Sequence, residues 1–315
     1  MKVSLINVVY NSKKYIKPVF DAIFLQTERD LEVFAVICAN DDGSKEYIVQ
    51  NYPQVKILDP GKNLGFSAAN NLAIRESTGE FVQLVNPDLI LEPHYIEDLL
   101  GVFADPKVAA ATGKLLRYDF RNNQKTKIID STGIVMSASG RARDRGQNQV
   151  DAGQFDDQTE VFGVSGAGPM FRRTALEKVK YRQEYFDEDF FMYWEDVDMS
   201  WRLRNLNYVI KYVPAAVAYH GRTAGQAEGG YWHFWKFVRH HKKLSPMILK
   251  LNYKNHILMY IKNAKSVWNP FFIGREIVMF GYVLIFETGT LKVLPELLRQ
   301  FPKILRKRKS SGALR

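Results

Sequence analysis

Residues 80–88 read EFVQLVNPD, an apolar stretch of strand character that breaks at its end into Asn-Pro-Asp. Proline removes a ladder donor and ends such a strand, and an aspartate just beyond it ordinarily solvates the turn. The neighbouring rhythm gives the stretch a larger meaning. Upstream, VSLINVVY (3–10), LEVFAVICAN (31–40) and VKILD (55–59) are apolar runs of strand length. Between the runs lie segments of helix length, SKKYIKPVFDAIFLQT (12–27), KEYIVQNY (45–52) and FSAANNLAIRES (66–77). Strands separated by single helices pair in parallel through crossovers, which predicts an α/β sheet with helices on both faces. Ligands of such sheets sit beyond the carboxyl ends of the strands.

Those ends are polar in every case. Tyr10 and Asn11 follow the first strand, Asp41 and Asp42 the second, PGKNLGF (60–66) the third, and Asn86 with Asp88 the fourth. One such end is expected of any loop; four on one rim, two carrying aspartates, point to a cleft for a nucleotide and a metal. An aspartate can accept the imide N–H of a uracil or thymine, an aromatic ring such as that of Tyr10 can stack on the base, and glycines let backbone approach a phosphate.

The second half supplies further acidic groups. FDEDFFMYWEDVDMSWRLR (186–204) places Asp187, Glu188 and Asp189 before an aromatic block and Glu195, Asp196 and Asp198 after it. A helix beginning at Asp198 would put Arg202 at i+4, within salt-bridge reach, so Asp198 reads as structural. Glu195 and Asp196 are hemmed by Phe190, Phe191, Tyr193 and Trp194, surroundings that raise a carboxylate's pKa towards the range useful for a general base. His220 follows another run of strand character, and imidazole with carboxylate oxygens suits Mn or Mg.

Composition narrows the class. With 315 residues and 46% apolar content the chain can bury one large core or two modest ones. The single cysteine, Cys38, reads as core filler and forms no internal disulfide, which fits a reducing compartment. MKVSLINVVYNS has an interrupted apolar stretch and no small-residue cleavage site, so it reads as the first strand and not as a signal peptide. The net charge of +10 is uneven: residues 231–315 hold 17 Lys and Arg against three Glu, while residues 1–230 are slightly acidic. The basic part lacks zinc-finger or RNP-type spacing, which argues against nucleic acid as a partner.

The order VSLINVVYNS, NDDGS, NLGFSAANN, GEFVQLVNPD, VSGAGPMFRR, FDEDFFMYWEDVDMSWRLR and AYHGRT resembles the family 2 inverting glycosyltransferases of the GT-A fold, and most closely their bacterial rhamnosyltransferase-like branch. The match spans roughly residues 3–225. The resemblance implies a Rossmann-like, mostly parallel sheet flanked by helices over residues 1–230. It also implies roles: Asp41 and Asp42 contact base and ribose, and Asn63 and Gly65 lie along the nucleotide. NPD stands where the family usually has Asp-x-Asp, which makes Asp88 the metal ligand; Asn86 replaces the first aspartate and is free to contact sugar or ribose. Asp196 is then the catalytic base with Glu195 the alternate, His220 an additional metal or diphosphate ligand, and Ser165, Gly166 and Gly168, with Trp194, border the acceptor pocket.

The expected reaction moves a sugar from a dTDP- or UDP-linked donor to a hydroxyl of a glycan or lipid-linked acceptor in cell-surface polysaccharide synthesis. One carboxylate base with no covalent nucleophile gives inversion at the anomeric carbon. A sugar-nucleotide nucleotidyltransferase would open with a Gly-rich phosphate loop after its first strand, and VVYNSKKYIK contains no glycine. A non-catalytic carbohydrate-binding or scaffold protein would not need the Trp-Glu-Asp carboxylates.

Residues 231–315 are expected to form a basic, amphipathic helical extension. Its longest apolar run, Ile277 to Phe286, falls well short of the ~20 residues a membrane-crossing helix needs. Aromatic and basic residues at helical spacing instead predict a helix lying on an anionic membrane surface. With the branch resemblance this implies a cytoplasmic protein, peripheral on the inner face of the cell membrane.

Overall fold

β1 (Val3–Tyr10) is the buried centre of the first half of the protein, pairing in parallel with β2 (Leu31–Ala39) on one side and β4 (Phe81–Leu84) on the other. The computed structural model describes residues 1–221 and 234–314. Arg222 and Thr223 of AYHGRT, and Tyr231 and Trp232 at the start of the expected extension, lie outside the described residues.

The elements α1 (Lys13–Phe24), α2 (Ser44–Asn51), β3 (Lys56–Leu58) and α3 (Gly65–Glu76) fall where the alternation of apolar runs puts them. β3 extends the parallel set beyond β2. Because strand side chains alternate between faces, Leu5 and Val9 of β1 join Ile16 and Phe20 of α1 in one core, while Ile6 joins Ala69 and Ile74 of α3 in the other. Cys38 is buried in that second core as a free thiol, as its apolar setting suggested.

Beyond β4 the sheet becomes mixed. After β5 (Leu89–Leu91) and α4 (Tyr95–Gly101) come the long β6 (Val108–Asp119), β7 (Gln124–Ser131), the small hairpin β8 (Ile134–Met136) and β9 (Ala142–Asp144), β10 (Met170–Arg172), α5 (Arg173–Val179), α6 (Glu195–Asn205) and β11 (Val209–His220). The sheet order is β3-β2-β1-β4-β10-β6-β11-β5, with β7 on β6. β10 runs antiparallel to both β4 and β6, whereas β6 and β11 are parallel. So the parallel character read from the first half holds there, and short antiparallel strands stitch the second half to it.

Four helices close the chain: α7 (Phe234–His241), α8 (Pro246–Asn263), α9 (Pro270–Phe286) and α10 (Leu294–Ser310). α8 and α10 bind the 184–198 segment through buried charges. Lys262 reaches Asp187 and Asp198 at 2.7 and 2.9 Å, and Lys307 reaches Glu184 and Asp189 at 2.7 and 2.8 Å and also pairs with Asp187. Asp198 accepts from Arg202 at 2.9 Å, the i+4 pair expected of it, although α6 begins earlier, at Glu195.

Candidate active site

Parallel strands bring their carboxyl ends to one rim, and the rim carries the expected groups. Asn11 sits in the left-handed region at φ 46° and accepts from the Asp41 N–H at 3.0 Å. That contact ties the end of β1 to the end of β2, with Tyr10 exposed beside it. The two aspartates separate in role. Asp41 is exposed, whereas both oxygens of Asp42 are engaged: one accepts from the Lys13 N–H at 2.8 Å and the other from the Ser44 hydroxyl at 2.6 Å. Asp42 thereby fastens the first turns of α1 and α2, and its carboxyl is held below the usual range: burial, which pushes it up, is outweighed by these hydrogen bonds.

Asn63 accepts from the Gly65 N–H at 2.9 Å, an Asx-type turn that opens α3. Gly65 has φ 72°, and a Cβ there would lie 2.5 Å from the Phe191 ring, so glycine is required twice over. The loop expected along the nucleotide is in this way packed against the segment that leads to Glu195 and Asp196.

At the other side of the cleft, Asp88 and His220 come together. Their Oδ1 and Nε2 atoms are 3.2 Å apart, and the amide nitrogen of Asn86 is 3.4 Å from the same ring nitrogen. Behind the ring, Nδ1 lies 2.8 Å from Asp130, whose side chain is fully buried at the end of β7. Burial works against charge on the imidazole, but the hydrogen bonds and charges of Asp130 and Asp88 outweigh it and lift the His220 pKa to about 9. Burial likewise pushes the Asp88 carboxyl up, and His220 more than reverses it, holding it below the usual range. A hard oxygen beside an imidazole nitrogen suits a divalent ion of Mn or Mg type, and a carboxylate behind the ring is the usual means of orienting a ligating histidine. Among the described residues no three His, Cys, Asp or Glu side chains converge on one point, and Asp88 and His220 stand as a hydrogen-bonded pair.

Asp130 was missed in the sequence. It lies near the end of β7, which runs antiparallel to β6, so the rule for the carboxyl ends of parallel strands does not reach it.

A single segment links Asn86, beside the Asp88–His220 pair, to Asp196. The Asn86 N–H donates to the Ala167 carbonyl at 2.8 Å, and one residue earlier the Gly166 N–H donates to Asp196 Oδ2 at 3.0 Å. Gly168 has no room for a side chain, since a Cβ would meet Leu89 at 2.6 Å, and its carbonyl accepts from the Tyr95 hydroxyl at 2.7 Å. Ser165, Tyr193, Trp194 and Asp196 line a cavity of about 310 Å³, closed on its far side by α7, α8 and α9. The Trp194 indole N–H donates to Asn252 of α8 at 3.1 Å.

The two adjacent carboxylates differ. Asp196 is half-buried and faces the cavity, its second oxygen accepting from the Val197 N–H at 2.7 Å. Glu195 is buried, Oε2 has no hydrogen-bond partner among the described residues, and burial together with the neighbouring charges of Asp196 and Asp198 raises its pKa well above the ordinary value. Just upstream, Phe191, Tyr193 and Trp194 all occupy the left-handed region, at φ 62°, 70° and 73°. Such strain in bulky residues collects at functional sites.

Residues 4–180 match the family model described as Glycosyl transferase family 2. Among curated relatives, the N-acetylglucosaminyl-diphospho-decaprenol L-rhamnosyltransferase of Mycobacterium tuberculosis is 27% identical over 248 residues, covering 70% of this chain and 76% of the relative. The poly-beta-1,6-N-acetyl-D-glucosamine synthase of Staphylococcus epidermidis is 25% identical over 280 residues, covering 84% of this chain and 62% of the synthase. Among solved structures, the mannosyltransferase PcManGT from Pyrobaculum calidifontis in complex with GDP-Man and Mn2+ superposes with a TM-score of 0.54 at 17% identity, covering 99% of this chain and 86% of that one. S. aureus TarS 1-349 in complex with UDP-GlcNAc gives 0.56 at 17% identity, covering 98% and 81%. At these identities the structures attest the fold alone.

Proposed function

The chain belongs to glycosyl transferase family 2 and is a glycosyltransferase of GT-A fold, and from that premise we propose that it transfers a sugar, with inversion, from a nucleoside-diphosphate donor to a hydroxyl of a glycan or lipid-linked acceptor. The observation that supports this reading is the joint between Asn86, Ala167, Gly166 and Asp196, by which one short segment hydrogen-bonds both to the proposed base and to the neighbour of Asp88.

In this mechanism Tyr10 and Asp41 receive the base and Asn63 and Gly65 the nucleotide's backbone, while Asn86 is placed to meet the sugar or ribose. Asp88 and His220 would hold the divalent ion, which when bound offsets negative charge on the departing diphosphate. Asp196 takes the proton of the acceptor hydroxyl, a step worth roughly 10² to 10⁴ in rate. The Gly166 N–H and the Val197 N–H fix both Asp196 oxygens, so the base presents one orientation to an acceptor entering along Ser165 and Trp194. Glu195, buried with its pKa raised, stands as the alternate base.

Rhamnose is the first donor sugar to test, supported by the relative from M. tuberculosis, whose name specifies L-rhamnosyl transfer. Thymidine and uridine nucleotides present nearly the same base edge to Asp41. Location in the cytoplasm, in the service of cell-surface polysaccharide synthesis, belongs to the same reading. The test is incubation with a panel of dTDP- and UDP-sugars, with Mn or Mg, a prenyl-diphosphate-linked acceptor and product NMR. A β-configured product from an α-linked donor, or the reverse, is expected. Retention, or a nucleotidyl product, overturns the reading.

A further inference from the structure

α9 is built inside out. Its two charged residues, Arg275 and Glu276, turn inward to His256, with an Arg275 nitrogen 2.9 Å and a Glu276 oxygen 3.0 Å from the same ring nitrogen. Phe272, Met279, Tyr282 and Val283 are buried with them. The outward half holds Phe271, Ile277, Val278, Phe280, Leu284 and Ile285, with Ile277, Val278 and Ile285 each about two-thirds or more exposed, at 67%, 70% and 72%. No charged side chain interrupts that half. A soluble helix shows the reverse arrangement, and an apolar face of this kind marks an interaction surface.

The ends of the helix say what covers it. Lys265 and Trp268, the latter 82% exposed, stand before its first turn. At the other end α7 is tied to α9 by His241–Glu287 at 2.6 Å and by Phe237 against Tyr282, and the exposed Lys242 and Lys243 follow α7 directly; Lys292, after α9, is also exposed. An apolar middle with tryptophan and lysine at its margins is the composition of a helix lying in the headgroup plane of an anionic bilayer. No single helix among the described residues is long and apolar enough, and α9 passes such a test only jointly with residues 288–310, at a bend of 115°. α10 cannot follow α9 into lipid, because Lys307 fastens it to Asp187 and Asp189.

We propose that the outward face of α9 docks on an anionic lipid surface, with the apolar half inserted to the level of the acyl chains and Lys242, Lys243, Lys265 and Lys292 at the headgroups. The inner side of the same helix, through Arg275, Met279 and Val283, lines the cavity that holds Asp196. One helix then separates the lipid from the acceptor side of the active site. The proposal stands on α9 and the lysines at its margins and holds whichever acceptor is used.

Flotation of the full chain with mixed phosphatidylglycerol–phosphatidylcholine vesicles, compared with phosphatidylcholine alone, tests it. The protein is expected to float with the anionic vesicles at low salt, less so at high salt, where the lysine contribution is screened. Ile277→Glu with Ile285→Glu is expected to weaken binding roughly tenfold or more while leaving the thermal midpoint and transfer to a water-soluble acceptor unchanged. Should that pair fail to fold, Trp268→Ala with Phe271→Ser serves the same purpose outside the packed turns. Absence of flotation at low salt overturns the proposal, as does equal flotation of wild type and a folded variant. It is also overturned if the wild type is a dimer without vesicles and the variant a monomer, since the face would then be an interface between copies.

Discussion

Lys262 Nζ lies 2.7 Å from a carboxylate oxygen of Asp187, and both side chains are shut away from water. The same ammonium reaches Asp198, whose other oxygen accepts from Asn263 at 2.7 Å, so one turn of α8 neutralises the acidic segment on either side of Glu195 and Asp196. Removing one partner of a buried pair leaves an uncompensated charge, typically at a cost of about 3–5 kcal/mol. Lys262→Met is therefore expected to lower urea-unfolding stability by that order, and a chain ending near residue 230 is expected not to fold. A change under about 1 kcal/mol in Lys262→Met would show the pair to be dispensable.

The same pair has a pH signature. Burial pushes the Asp187 carboxyl up, but Lys262 and Lys307 outweigh it and hold its pKa well below the ordinary 3.8. A depressed folded-state pKa gives stability that is fully present above the unfolded value and lost as pH falls through the folded one. Wild type should therefore lose stability in the acid range below about pH 4, and Lys262→Met should show a shallower acid limb. Parallel acid limbs in urea titrations at several pH values would contradict this.

Asp196 and Glu195 should separate on amide substitution. Asp196→Asn removes the proposed base and is expected to lower kcat by roughly 10² to 10⁴ with donor affinity nearly kept. Glu195→Gln keeps the neutral form already favoured and should retain most activity. It should also be stabilising on the alkaline side. A raised folded-state pKa means that the native state binds the extra proton, so stability falls as pH rises from about 4.5 towards the folded value, and glutamine abolishes that loss. Reversed kinetic effects would make Glu195 the base.

Asp130 acts through His220. Asp130→Asn keeps the size of the side chain but weakens its hold on Nδ1, and outer-shell changes of this kind cost about 10–100-fold in metal affinity. Titration of Mn binding in the presence of nucleoside diphosphate checks it, with Asp88→Ala as the reference for loss of a direct ligand. Unchanged Mn affinity in Asp130→Asn would remove the positioning role.

Much of this was legible in the chain because the first half obeys local rules. Apolar runs and helix-length spacers fixed β1 to β4, and the polar strand ends marked Tyr10, Asn11, Asp41 and Asp88. Less legible was anything set by long-range pairing. Nothing local tells that Asp42 also accepts from the Lys13 N–H, 29 residues away, that β10 enters between β4 and β6 antiparallel to both, or that Lys262 and Lys307 answer Asp187 from 75 and 120 residues away. The charge of the last 85 residues suggested a surface for lipid, yet part of it is buried against the catalytic segment. The apolar face that remains for lipid is on α9, where the charges point inward.

Asn255 holds the strained approach to the base. Its side-chain N–H group donates to the carbonyls of Phe190, Met192 and Tyr193, each at 2.9 Å, and so fastens the turn in which Phe191, Tyr193 and Trp194 are left-handed. Each such residue costs of order 1–3 kcal/mol and persists only where surroundings over-determine it. Asn255 is itself fully buried on α8 and touches no reacting group. In Asn255→Leu the three carbonyls lose their donor, the turn relaxes, and the start of α6 with Asp196 shifts from the Gly166 N–H. The expected result is a fall in kcat of about ten- to a hundredfold, since misplacement by about 1 Å costs on that order, with KM for the donor nearly unchanged. Asn255→Gln, which keeps a donor, should restore part of the loss. A variant whose kcat and KM change together, or whose activity simply follows its thermal midpoint, would reduce Asn255 to a packing residue.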